Sequence, residues 1–118
     1  METESNFENI VKMEKMVALV RRQVHKDFAM PQLHLFLLVC IDDGVTQPDL
    51  AKRAAMPQAT VSRNMRILGR SYNKQNDQIE GYDLVEAKPD LYERKRLACF
   101  LTTKGKRVRS LLTAQSMK

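Results

Sequence analysis

At Met56-Pro57 a helical pattern breaks and at once resumes, and that interruption limits what this chain can become. Upstream, Thr46 or Gln47 is placed to open a short helix, with Pro48 in its first turn and Asp49 near the positive end of the helix dipole. Leu50, Ala51 and Ala54 form the inner face of that helix, and the small Ala51 lets a second helix approach closely. Pro57 disfavours helical geometry at the residue before it. From Gln58 a helix restarts, and its inner stripe is Val61, Met65 and Leu68. Two short helices joined by a tight turn make a helix-turn-helix.

Opposite that stripe, helical spacing puts Ala59, Ser62, Arg63, Arg66 and Arg70, with Thr60 and Asn64 at the margins. No carboxylate occurs between Gln58 and Lys74. The face is small and polar at its N-terminal end and cationic beyond it. Short side chains let a helix approach base edges, and arginine suits guanine edges or phosphates. A solvated basic helix is the plainer alternative; the preceding helix and turn favour contact with double-stranded DNA. Ser62 and Arg63 are the first candidates for base contact, followed by Gln58, Thr60 and Arg66.

The distribution of charge agrees. The chain carries a net +6, but residues 1–50 hold 5 basic and 8 acidic residues (−3), and residues 51–118 hold 15 basic and 6 acidic (+9). A basic half of this kind suggests a polyanionic partner on that side, most often nucleic acid.

With 118 residues, 43% hydrophobic and 29% charged, and with no repeat or Pro/Gly-rich linker, the chain reads as one globular domain, 1–118. A first helix is expected from about Asn6 to Lys26, where Phe7, Ile10, Val11, Val17, Val20 and Val24 recur at helical spacing and Met13, Met16 and Leu19 widen the stripe. So much apolar surface suits a core-facing helix, or one whose face packs partly on a second copy. Pro31 opens a second helix with Leu33, Phe36, Leu37, Cys40 and Ile41 as its stripe, stopping at Asp42-Asp43-Gly44. Further on, Leu84–Ala87 and Leu97–Leu101 are short apolar runs around a polar stretch, a hairpin pattern. The loop between them carries Lys88, Arg94, Lys95 and Arg96 against Asp90 and Glu93, which pair with these cations on the plainer reading; Tyr92 reads as a stacking or packing group, with packing the plainer of the two. Thr102 or Thr103 caps a last helix through about Gln115, with Val108, Leu111 and Leu112 apolar and Lys104, Lys106, Arg107 and Arg109 cationic. Gly69 to Tyr82 is polar and turn-forming: a loop, a continuation of the preceding helix, or an extra contact with DNA or a partner.

Thr46–Leu68, with its T-Q-x-x-L-A opening and T-V-S-R helix, resembles the helix-turn-helix of winged-helix bacterial regulators. Asp83–Asp90, Glu93-Arg94-Lys95 and Leu101-Thr102-Thr103-Lys104-Gly105 are similar to the wing and following helix of the MarR family, so that the resemblance covers about residues 31–112. It implies a mainly α fold with a small β-hairpin, a winged helix-turn-helix whose N- and C-terminal helices form a dimer interface: 1–28 for dimerisation, 31–101 for helix-turn-helix and wing, 102–118 for the C-terminal helix. It also implies a homodimeric transcription regulator, most simply a repressor. The wing tip would enter the minor groove, with Arg94 the best match to the arginine that touches DNA there and Lys95 beside it. Two features depart from the family: the long 69–82 stretch and the short chain after Leu112. No ligand residues carry over, and no effector is named.

Other classes fit less well. No acid/base cluster, nucleophile elbow, phosphate loop or metal spacing marks an enzyme, and no cofactor is called for. Cys40 and Cys99 stand alone in apolar runs and read as buried free thiols; His34 reads as a helix-surface residue. The longest apolar run, Leu35–Ile41, is too short for a membrane span, and the acidic N-terminus is unlike a signal or transit peptide, so a cytoplasmic protein is expected. The alternatives are a plasmid or phage winged-helix protein of replication, partition or recombination, and a protein–protein adaptor.

Overall fold

The computed structural model describes residues 2–116, with side chains for residues 7–115. In chain order the elements are α1 (Glu2–Gln23), α2 (Met30–Ile41), β1 (Val45–Thr46), α3 (Gln47–Ala54), α4 (Gln58–Leu68), β2 (Ser71–Asn73), β3 (Gln78–Glu80), β4 (Val85–Pro89), β5 (Leu97–Leu101) and α5 (Thr103–Ser116). They fall into two compact units, Met1–Phe28 with Arg107–Lys118, and Ala29–Lys106.

In the first unit, Leu19 and Val20 of α1 and Val108 and Leu112 of α5 are buried. The expected stripe along α1 exists as a face, but most of it is uncovered: Phe7, Ile10, Met13 and Val17 are 65%, 62%, 61% and 41% exposed. Here helical periodicity identifies a surface that the single chain does not seal.

The second unit is organised around α2. Ala29 precedes it, and the Ala29 N–H donates to Gln32 Oε1 at 3.2 Å. Leu35, Phe36 and Val39 are buried. The expected stripe is therefore rotated: Phe36 faces inward, whereas Leu37 and Ile41 are exposed. The sequence Leu35–Ile41 is apolar on every side, so spacing alone does not choose a face; packing against the helix-turn-helix does.

Thr46 Oγ1 accepts from the Asp49 N–H at 3.3 Å and caps α3. Its final turn closes at Ala55, whose φ of 54° and ψ of 46° are left-handed. Pro57 then stands at the N-cap of α4. Val61, Met65 and Leu68 are buried, as their spacing requires, and each such side chain contributes about 1.5–3 kcal/mol of hydrophobic stabilisation.

Three antiparallel strands form a sheet in the order β1-β5-β4. The expected hairpin is present, with register Val85↔Leu101 through Pro89↔Leu97, so that its first strand runs to Pro89 and includes Lys88. Val45 and Thr46 add a third strand that sequence spacing does not announce, paired with Cys99 and Ala98. Gly44, at φ +106°, makes the turn into it, and its N–H donates to the Cys99 carbonyl at 2.8 Å.

Residues 69–82 form neither an irregular loop nor a continuation of α4. They contain a second antiparallel hairpin, with Ser71↔Glu80, Tyr72↔Ile79 and Asn73↔Gln78 paired. Its ends meet: a Cβ on Gly81 would lie 2.1 Å from the Gly69 carbonyl oxygen, and Gly81 has φ +105°. The returning segment then closes the end of α4, because the N–H groups of Tyr82, Asp83 and Leu84 donate to the carbonyls of Ile67, Gly69 and Leu68 at 2.9, 3.0 and 2.8 Å. The same segment receives α5. The Leu84 carbonyl accepts from the Thr102 N–H at 3.1 Å, and Thr102 Oγ1 donates to the Asp83 carbonyl at 2.6 Å while accepting from the Gly105 N–H at 3.0 Å.

Candidate nucleic-acid interface

The outer face of α4 carries Gln58, Ala59, Ser62, Arg63 and Arg66, all exposed; Thr60 and Asn64 are half-buried at its edges, as spacing placed them. No side chain caps the α4 N-terminus. Arg63 and Arg66 have no ion-pair partner among the described residues. Two polar ties fix the helix beneath this face. Ser62 Oγ donates to Oε1 of the buried Gln47 at 3.2 Å. Asn64 Nδ2 donates to the Thr60 carbonyl at 3.0 Å, and its Oδ1 accepts from Gln32 Nε2 at 3.5 Å. Ser62 is thus tied to α3 by its hydroxyl, a role that helical spacing alone does not reveal.

Gln47 also bonds the Cys99 thiol, so one amide joins α3, α4 and the central strand. Burial pushes the Cys99 thiol up to about 12, against a smaller lowering by the Gln47 bond. Cys99 is buried and Cys40 half-buried, and neither is in a disulfide.

Three predicted cations are placed differently from the expectation. Arg70 is exposed but lies beyond the end of α4, because Gly69 is its C-cap and the chain turns there into β2. Lys88 belongs to strand β4 rather than the loop; its Nζ is 3.2 Å from Glu86 Oε1 and 5.8 Å from the centre of the Phe100 ring. Arg96 Nη2 is 3.0 Å from Asp90 Oδ2 and braces the base of the wing loop. The Asp90 N–H donates to the Arg96 carbonyl at 2.9 Å and the Arg96 N–H to that of Glu93 at 3.0 Å. Arg94 and Lys95 are exposed at the tip, with no ion pair among the described residues. Tyr92, for which packing is the plainer expectation, is instead 94% exposed. Lys104 is drawn inward, its Nζ donating to the Tyr82 carbonyl at 2.9 Å.

Between α4 and the wing lies a cleft of about 830 Å³, bordered by Ser62, Arg66 and Arg70 on one side and by Glu86, Ala87 and Leu97 on the other. No group of three or more His, Cys, Asp or Glu suited to a metal occurs among the described residues, and none of their helices is long and apolar enough to cross a membrane.

A helix-turn-helix whose second helix is exposed along one basic face, followed by a hairpin anchored in a small sheet, is a winged helix-turn-helix. Solved structures that share it include MarR transcriptional regulators. FabT of Streptococcus pneumoniae in complex with DNA is 18% identical, over 96% of this chain and 71% of that one, with a TM-score of 0.64. MepR of S. aureus in its DNA complex is 23% identical over 94% and 82%, with a TM-score of 0.62. A MarR transcriptional regulator from Methanosarcina mazei Go1 is 16% identical over 98% and 73%, with a TM-score of 0.61. The fold is therefore MarR-like, as the residues of the helix-turn-helix and wing led us to expect. No protein-family model and no curated protein sequence matches the chain.

Proposed function

We propose that this protein is a homodimeric, sequence-specific double-stranded DNA-binding transcription regulator, with α4 in the major groove and the β4–β5 wing in the minor groove. The observation that carries this reading is the outer face of α4: exposed from Gln58 to Arg66, free of carboxylates, with Arg63 and Arg66 unpaired among the described residues. A duplex with phosphates flanking hydrogen-bonding base edges complements such a face. The DNA complexes of FabT and MepR, which share the fold, support the reading. A second copy covers the exposed Phe7, Ile10, Met13 and Val17 of α1. Two copies would then present two recognition helices to a palindromic site. Occlusion of a promoter is the simplest output, which makes the protein a repressor.

Selection of bound duplexes from a random pool tests the reading, followed by sizing of the complex for two chains per duplex. An enriched palindrome and affinity that falls steeply with salt are expected. Arg63→Ala should erode discrimination between sites, and Arg94→Ala should weaken all of them alike. A pool that returns no enriched sequence would refute the regulator.

A further inference from the structure

We propose that the wing tip is a wedge: Leu91 and Tyr92 enter the minor groove of the duplex, lever base pairs apart and bend the DNA, while Arg94 and Lys95 hold the flanking phosphates. This rests on the DNA-binding reading above and adds to it a mechanical role for two residues that carry no charge.

Leu91 and Tyr92 are 88% and 94% exposed, the most exposed large apolar side chains among the described residues. The loop does not need them to hold its shape. Asp90 and Arg96 close its base through an ion pair at 3.0 Å and a backbone hydrogen bond at 2.9 Å, and the Arg96 N–H adds a second to Glu93 at 3.0 Å. Glu93 is held inside the loop, where its Oε1 accepts from the Lys95 N–H at 3.3 Å. Both tip carboxylates are thus occupied by the loop itself. What projects is an aliphatic side chain, an aromatic side chain and two free cations, on a ribbon held by five residue pairs.

That combination fits a narrow site with anionic walls and an apolar interior. The minor groove has phosphates along both rims and stacked base faces once a step is opened. Proteins that insert apolar wedges there kink the duplex by about 20–90°. Arg94 and Lys95 beside the wedge neutralise the phosphates along the rims.

The test uses the full chain and a duplex recovered from the random-pool selection, or a random-sequence duplex at low salt. Donor and acceptor dyes at the duplex ends report the bend, and 2-aminopurine at successive steps reports unstacking. Wild-type protein should shorten the end-to-end distance and brighten one step in each half-site. The double variant Leu91→Ser/Tyr92→Ser should still bind and melt at the wild-type temperature, with affinity lower by about tenfold, the bend lost and 2-aminopurine dark. Tyr92→Phe should keep the bend, since the ring rather than the hydroxyl acts. Wild-type protein that binds an unbent, fully stacked duplex overturns the wedge and leaves the DNA-binding reading intact. So does a double variant that bends DNA as well as wild type. Failure of wild type to bind any duplex at low salt overturns both readings. Vesicles of anionic lipid provide the last arm: binding that depends on Leu91 and Tyr92, with bending of duplex unaffected by their loss, would give the tip to a membrane surface and overturn the wedge.

Discussion

The protein carries two β-hairpins within a few residues of each other, and they are built on opposite principles. The wing, β4–β5, is a tertiary structure: β5 lies between β1 and β4, and Ala98, Cys99 and Leu101 are buried. The β2–β3 hairpin has no buried residue from Ser71 to Glu80. It is held by its own side chains. Asn73 Oδ1 accepts from the Gln75 N–H at 2.9 Å, Asn76 Oδ1 accepts from the Gln78 N–H at 3.1 Å, Asn73 Nδ2 donates to Glu80 at 2.9 Å, and the Tyr72 hydroxyl donates to the Asp77 carboxylate. A lone two-stranded hairpin is marginal in water, whereas one sealed into a sheet shares the stability of the whole unit. The same local shape is structural support in one place and a surface ornament in the other.

The largest contrast should be chemical. At pH 8 a thiol pushed up to about 12 is ionised in roughly one molecule in ten thousand. In a Cys40→Ser background, Cys99 should therefore react with a thiol probe at least about a thousandfold more slowly than a cysteine placed in the other hairpin by Gln75→Cys. Because Cys99 ionises near 9 in the unfolded chain and near 12 in the folded one, the unfolded chain releases its proton first. Its contribution to stability is whole below pH 9 and is lost as pH rises from about 9 to 12; Cys99→Ala should flatten that fall in denaturant titrations. Comparable labelling of the two sites would show that the wing sheet is open.

Proline substitutions should separate the hairpins next. Ala98→Pro breaks the central strand and should cost about 3 kcal/mol or more, whereas Ile79→Pro should shift the global midpoint by less than about 0.5 kcal/mol. Equal losses in chemical denaturation would mean that β2–β3 is part of the cooperative core. A smaller effect is expected from excising the ornament. Since Gly69 and Gly81 already touch, replacing residues 71–80 with two glycines should leave the global midpoint within about 1 kcal/mol and the helical circular dichroism unchanged. The least effect belongs to Asp77→Asn. The hydrogen bond to Asp77, more than burial, raises the pKa of the Tyr72 phenol, so this change should return it toward 10 in an ultraviolet pH titration, with no change in melting temperature.

The same contrast explains what could be read from the sequence. The run Leu97–Leu101 announces a strand because its stability comes from apolar side chains, and Val61, Met65 and Leu68 announce their helix for the same reason. The second hairpin is encoded in Asn73, Asn76 and Asp77, residues that mark a turn but do not specify the strands on either side of it; the pairing of Tyr72 with Ile79 was the available clue. Strand β1 is not legible in the sequence, because two residues have no periodicity to read. The buried face of α2 is not legible either, because Leu35–Ile41 has too many apolar sides. Of the candidate contacts, Gln58, Ser62, Arg63 and Arg66 stand on the expected face. Lys88 and Arg96 do not project from the tip, because which cation an acid takes is decided by loop geometry that composition does not hold.

Thr46 belongs to two structures at once. Its backbone is paired with Ala98 in the strand that returns from the wing tip, and its hydroxyl starts the helix that positions α4. The base of the wing is therefore tied to the helix-turn-helix, like one jaw of a calliper hinged on the other. On the proposed reading, a duplex with the right letters but the wrong groove spacing would be refused by length rather than by sequence.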